Sequence, residues 1–295
     1  MAANRLEPIS MGRRFTSYVG IDLGGARGKT TAVTHLVAAD GRARVLSVST
    51  RHRGEPWIDA TLLEFVGSLG DDLVVAVNAP LTAPACGRCV VPACPGVEAC
   101  VDPAVVWQRT EGRALVEGAA VAAAVQGAPR ERTMAEPPRG RWRVQPYAHR
   151  ATELVLCYER GLLPASQVGH AVGLVAARAA HLRRRLLRAG FALHQNLLEV
   201  SPAATIAALF DRRRARGYKR DADPWQTRAA LVEAVDDLEF APVSRLARED
   251  ALSNDHCFDA LIAAYTAYLW ARDDWPMPEG PFAEDGWIWA PPPRD

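Results

Sequence analysis

Tyr18-Val19-Gly20-Ile21-Asp22-Leu23-Gly24-Gly25-Ala26-Arg27-Gly28-Lys29-Thr30-Thr31-Ala32-Val33 is the stretch on which the reading of this chain turns. Tyr18, Val19 and Ile21 form a short run of β-favouring apolar side chains. Gly24 and Gly25 let the backbone turn where a side chain would clash. Thr30, Thr31, Val33 and Thr34 then favour a returning strand. At the end of the first strand stands Asp22. A carboxylate there is costly to bury unless it is paired, hydrogen-bonded or bound to a cation, which makes Asp22 the first candidate site residue.

Working outward, Asp40-Gly41 is a two-residue hairpin signal, and Ala43–Thr50 after it suits a third strand. Trp57–Leu69 has helical spacing. Leu73–Val77 is a continuous apolar run, as expected of a strand buried on both faces. Asn196–Val200 reads as a fifth strand. The pattern predicts a mixed α/β fold, a five-stranded sheet flanked by helices. Pro80 stops the fourth strand, which places Asn78 at its carboxyl end, and Glu199 stands near the carboxyl end of the fifth. Open α/β sheets place their binding crevice at these ends.

The late helix that opens at Ser253-Asn254-Asp255 carries Asp255 and Asp259 four residues apart, on one face. Like charges at that spacing oppose each other, and a shared cation removes the penalty. Asp255 also has a purely structural role open to it, as an acid at a helix N-terminus. Asp22, Glu199, Asp255 and Asp259 are oxygen donors of the kind that Mg2+ or Mn2+ takes. Two such ions could serve phosphodiester cleavage.

Cys86, Cys89, Cys94 and Cys100 form C-x2-C-x4-C-x5-C, with Pro92, Pro95 and Gly96 between them. No regular element fits this segment, so a metal held by four thiolates is expected to order it. Zinc is the first choice and an iron–sulfur cluster the alternative; four separate reduced thiols are the plainer possibility. The 49% apolar content is ample for a core, and the net charge of +1 gives no global pull toward nucleic acid or membrane. Lys occurs only at 29 and 219, so the basic charge is nearly all Arg. It concentrates at Arg178–Arg188 and Arg212–Arg220, where a helix dipole or a nucleic-acid backbone would each account for it. No apolar run is long enough to span a bilayer and the start lacks a secretory pattern, so a cytoplasmic protein with a loose tail at 1–14 is expected.

Gly20-Ile21-Asp22, Ala76-Val77-Asn78-Ala79-Pro80-Leu81, Glu199-Val200-Ser201-Pro202, Asp255-His256-Cys257-Phe258-Asp259-Ala260-Leu261 through Ala267, and Gly286-Trp287-Ile288-Trp289 occur in that order. In this the chain resembles a family of predicted RNase-H-like nucleases. The resemblance implies a single ribonuclease-H-like domain over 15–295, with the cysteine-rich insertion at 84–102 and a helical insertion at 103–190. It also implies a divalent-metal site at Asp22, Glu199 and Asp259. Asn78 departs from it, because the family usually has an acid there; an amide ligates a cation without negative charge. Two other readings stay open. One is an actin- or sugar-kinase-like phosphotransferase, whose phosphate hairpin also begins with an Asp-x-Gly turn. Gly28-Lys29-Thr30 is not a full P-loop, since Leu23 stands where its first glycine belongs. The other is a non-catalytic, metal-dependent interaction module.

Overall fold

A computed structural model describes residues 15–25, 30–125, 143–162 and 173–292. The expected tail at 1–14, Lys29, and residues 126–142 of the Pro- and Gly-containing stretch 126–143, which the sequence predicts to be a loop, lie outside these.

The strands are β1 (Ser17–Asp22), β2 (Ala32–Ala39), β3 (Arg42–Ser49), β4 (Arg51–His52), β5 (Glu55–Pro56), β6 (Leu73–Asn78), β7 (Leu197–Val200), β8 (Leu238–Phe240) and β9 (Ile288–Trp289). β4 and β5 pair only with each other. The others form one sheet in the order β8-β3-β2-β1-β6-β7-β9. β2 is antiparallel to both β1 and β3, and every other neighbouring pair is parallel. The five expected strands are all present, but the sheet has seven rather than five, because β8 adds to the β3 edge and β9 to the β7 edge. Asp40 and Gly41 both have positive φ, 52° and 74°, as the turn between β2 and β3 requires.

The helices are α1 (Asp59–Gly67), α2 (Ala85–Arg88), α3 (Pro103–Arg109), α4 (Glu111–Val125), α5 (Ala151–Leu154, continued by one π-helical turn to Glu159), α6 (Gly173–Arg188), α7 (Pro202–Leu209), α8 (Arg212–Arg220), α9 (Pro224–Glu233), α10 (Arg245–Ser253), α11 (Asp255–Arg272) and α12 (Phe282–Asp285). Among the described residues, no helix is long and apolar enough to cross a membrane.

Strand alternation divides the core. Val19, Ile21, Val33, Val75 and Val77 face one way, against Leu62 and Val66 of α1 and Leu182 and Leu186 of α6. Tyr18, Ala32, Leu36, Val74 and Ala76 face the other way, against α11. From Cys257 to Ala271 every residue of α11 is buried, because the sheet lies beneath it and α7 and α10 pack around it. Gly20 permits this arrangement. A Cβ there would lie 2.0 Å from the Ala260 carbonyl oxygen and 2.4 Å from the Ala264 nitrogen. The missing side chain lets α11 lie directly on β1, with Asp259 over the strand that ends in Asp22. Trp287 and Trp289 are buried, as core residues rather than a binding face.

Candidate functional site

Asp22 is paired in register with Asn78 at the carboxyl ends of the parallel strands β1 and β6. Its carboxylate has a partner on each oxygen. Asn78 Nδ2 donates to Oδ1 at 2.7 Å, and His256 Nδ1 lies 2.7 Å from Oδ2. His256 is held by the start of α11, where the Asn254 side chain caps the helix by accepting from the His256 and Cys257 backbone N–H groups. Hydrogen bonding and charge from Asp22, with Asp255 and Asp259 behind it, raise the His256 pKa against the opposing effect of burial.

One turn further along α11, Asp259 is 2% exposed. It accepts from Tyr218 Oη at 2.8 Å and from Lys219 Nζ at 2.5 Å. Both donors come from α8, whose apolar contact with the core is Ala215 and Tyr218. Burial and the Asp22 charge push the Asp259 carboxyl up to about 6, although Lys219 and Tyr218 work against the shift. Burial opposes the charge on Lys219, but Asp259, Asp22 and Asp255 outweigh it and raise its pKa. Burial, then Asp259, raises Tyr218 well above its ordinary value, so it remains a donor. Two carboxylates that disfavour each other, ringed by an ammonium, an imidazole, a phenol and an amide, therefore sit at one end of the sheet. Asp255 stands half-buried beside them.

Glu199 does not join this group. It is in register with Val77, not Asn78, and Val77 faces α1 and α6, away from α11. Its carboxylate is taken up by Arg150, through Nη2 at 2.6 Å and Nη1 at 2.8 Å, and by the Leu81 backbone N–H at 2.8 Å. Arg150 is wholly buried and also bonds Glu153 and Thr82. The expected acid triad is thus two carboxylates, with Asp255 near enough for its charge to act on Lys219 and His256. The sequence reading missed His256, Tyr218 and Lys219. Each stands in a stretch singled out for other reasons, the Asp255–Leu261 motif or the basic cluster.

Gly24 and Thr31, on either side of the glycine-rich stretch, are tied to α6. Arg178 donates to the Gly24 carbonyl at 2.7 Å and to Thr31 Oγ1 at 2.8 Å, and pairs with Asp59 at 2.7 Å. Strand β2, not a helix, follows the turn, so it is not built as a P-loop. Cys86, Cys89 and Cys94 are exposed and Cys100 partly so, all four as free thiols. Among the described residues, no three His, Cys, Asp or Glu side chains stand close enough together to hold a metal ion.

The family model described as "Protein of unknown function (DUF429)" matches residues 20–282, so the chain belongs to that family. No curated protein and no solved structure matches it.

Proposed function

We propose that this DUF429 member is a divalent-cation-dependent phosphodiester hydrolase that acts on nucleic acid, with its centre at Asp22 and Asp259. The observation that carries the reading is the meeting of these two carboxylates at the carboxyl end of the sheet, close enough for Asp22 to raise the Asp259 pKa. A like-charge pair of this kind is relieved by a cation. The core order β3-β2-β1-β6-β7, with its first three strands antiparallel, supports a ribonuclease-H-like reading of the sheet. Asp22 and Asp259 would hold a hard cation through their oxygens, with Asp255 as a further carboxylate; because Lys219 and His256 bond these two acids in the fold described, the cation would take their place and draw the acids together on binding. Bound there, a divalent ion would supply an activated water and neutralise charge on the phosphoryl oxygens.

The chain's own groups have separate tasks. Lys219 holds Asp259 ionised and orients it at 2.5 Å. Asn78 fixes one oxygen of Asp22 without adding charge. His256 is bonded through Nδ1, so Nε2 is the atom that can pass a proton to a leaving oxygen. Arg212, Arg213, Arg214 and Arg220 are exposed on α8, the helix that delivers Tyr218 and Lys219 to the site. That placement suits a phosphate backbone.

The test is cleavage of single-stranded and duplex DNA and RNA by purified protein with Mg2+ or Mn2+. Wild type should cleave at least one of them, and Asp22→Asn and Asp259→Asn should each lose activity by at least about a hundredfold, the scale of one removed transition-state contact. Intact substrate across the whole panel, or equal rates for the variants, contradicts the reading.

A further inference from the structure

We propose that Trp225 is a base-stacking platform for single-stranded nucleic acid, set at the end of the arginine face of α8. The proposal rests on the nucleic-acid part of the reading above and not on cleavage.

Trp225 stands in the first turn of α9 and is 51% exposed. The other tryptophans described, Trp57, Trp107, Trp270, Trp275, Trp287 and Trp289, are buried or packed against the core. A large aromatic side chain left half in water does little for the fold. The helix start does not need it either. Pro224 occupies the first helical position, and Asp223 caps the helix by accepting the Gln226 N–H at 2.9 Å.

What surrounds Trp225 decides its partner. The start of α9 is fastened to the C-terminal half of α8. Thr227 Oγ1 donates to Asp221 at 2.8 Å, and Arg228 Nη1 donates to the Tyr218 carbonyl at 2.8 Å. Trp225 lies within one turn of both donors, so it stands beside the end of α8. On α8, Arg212 and Lys219 are seven residues apart and share one side of the helix. Arg213 and Arg220 form the next stripe, about 100° round. Lys219 bonds Asp259, so the first stripe borders the proposed centre. The second stripe is exposed, and among the described residues neither of its arginines has an ion-pair partner. The acids nearby in sequence are already engaged. Asp211 caps α8 and pairs with Arg214, Asp221 accepts from Thr227, and Asp223 caps α9. Free guanidinium groups and a flat apolar ring therefore follow one another outward from the acidic centre. Guanidinium groups take phosphates, and an indole takes the face of a base. Base faces are open to a side chain in an unpaired strand, whereas in a duplex they cover one another. The combination thus selects a single strand.

The experiment is a fluorescence-anisotropy titration of an unstructured single-stranded oligonucleotide, its duplex and an abasic strand of the same length. EDTA is present, so that no cation-dependent cleavage intervenes. The proteins are wild type, Trp225→Ala, Trp225→Phe and the double variant Arg213→Gln with Arg220→Gln, each shown to be folded by thermal melting. Wild type should bind the single strand more tightly than the duplex. Trp225→Ala should weaken single-strand binding about tenfold, the scale of one lost base stack, and leave the slope of its salt dependence unchanged. Trp225→Phe should restore most of the affinity. The abasic strand should bind wild type and Trp225→Ala equally. The arginine variant should lower the salt slope instead. Equal single-strand affinity in wild type and Trp225→Ala overturns the proposal, as does tighter binding of the duplex by wild type. So does a loss of self-association in Trp225→Ala without change in oligonucleotide binding, which assigns the ring to a contact between copies. Single-strand binding through Trp225, with no substrate cleaved when Mg2+ or Mn2+ is added, upholds this proposal and defeats the hydrolase reading alone.

Discussion

At Asp259 the folded protein holds a proton more tightly than the unfolded chain does, with a pKa near 6 against 3.8. As pH rises through that window the unfolded state releases its proton first. Stability therefore falls between about pH 4 and pH 6, and the cost persists above it. Asp259→Asn should be more stable than wild type at pH 8, on the order of 1–3 kcal/mol, and equal to it below pH 4. Denaturant unfolding across pH 4–8 measures this. A variant less stable at pH 8 than at pH 4, relative to wild type, would contradict the electrostatics. His256 acts with the same sign at higher pH. Its pKa is raised, so its ionic bond to Asp22 is fully present below the ordinary imidazole value and is lost as pH passes the raised one. Glu199 behaves differently. Burial opposes the charge of Arg150, but Glu199 and Glu153 outweigh it and keep the guanidinium ionised. Breaking such a buried pair leaves an uncompensated charge, so Glu199→Ala and Arg150→Ala should each cost about 3–5 kcal/mol. Rescue of stability, without change in cation binding, by replacing both partners with apolar residues would mark the pair as structural.

Elements set which of these residues meet. α11 reaches β1 only because position 20 has no side chain. Gly20→Ala forces the helix off the strand, and the predicted loss is about 1–3 kcal/mol or more, with Asp259 displaced from Asp22. Thermal melting and cleavage should fail together in this variant; a native melting temperature would contradict the close approach. Under the proposed function, the exposed arginines of α8 would act on substrate rather than on stability. Replacing Arg213 and Arg220, both exposed, with Gln should leave melting unchanged and reduce the steepness of the salt dependence of nucleic-acid binding, by about one unit of slope per lost phosphate contact. The α11 and β1 elements were legible in the sequence, because an isolated acid at the end of an apolar strand and two acids at helical spacing are local signals. Glu199 was misassigned because nearness to a strand end does not say which face a side chain takes. It is one step out of phase with Asn78, and that parity is set by strand pairing. His256, Tyr218 and Lys219 could not be assigned for a related reason: they reach Asp22 and Asp259 through the docking of α8 and α11. β8 has three residues and too short a pattern to stand out.

The whole molecule places two charged systems around one sheet. The acidic centre lies on the α11 side at the ends of β1 and β6. The Arg150–Glu199 pair lies across β6 from it and ties the exit of that strand to Asp285 and Arg88. The cysteine segment stands outside this second system. Seven strands rather than five reflect short pairings at both edges, with β8 and β9 covering strands that would otherwise be open. The central claim is that Asp22 and Asp259 form a cation site from which Glu199 is excluded. Mg2+ titration by calorimetry, on wild type, Asp259→Asn and Glu199→Gln at a temperature where all three are folded, tests it most directly. Wild type and Glu199→Gln should bind the ion with similar affinity, while Asp259→Asn should not bind it. Binding retained in Asp259→Asn and lost in Glu199→Gln would contradict the claim.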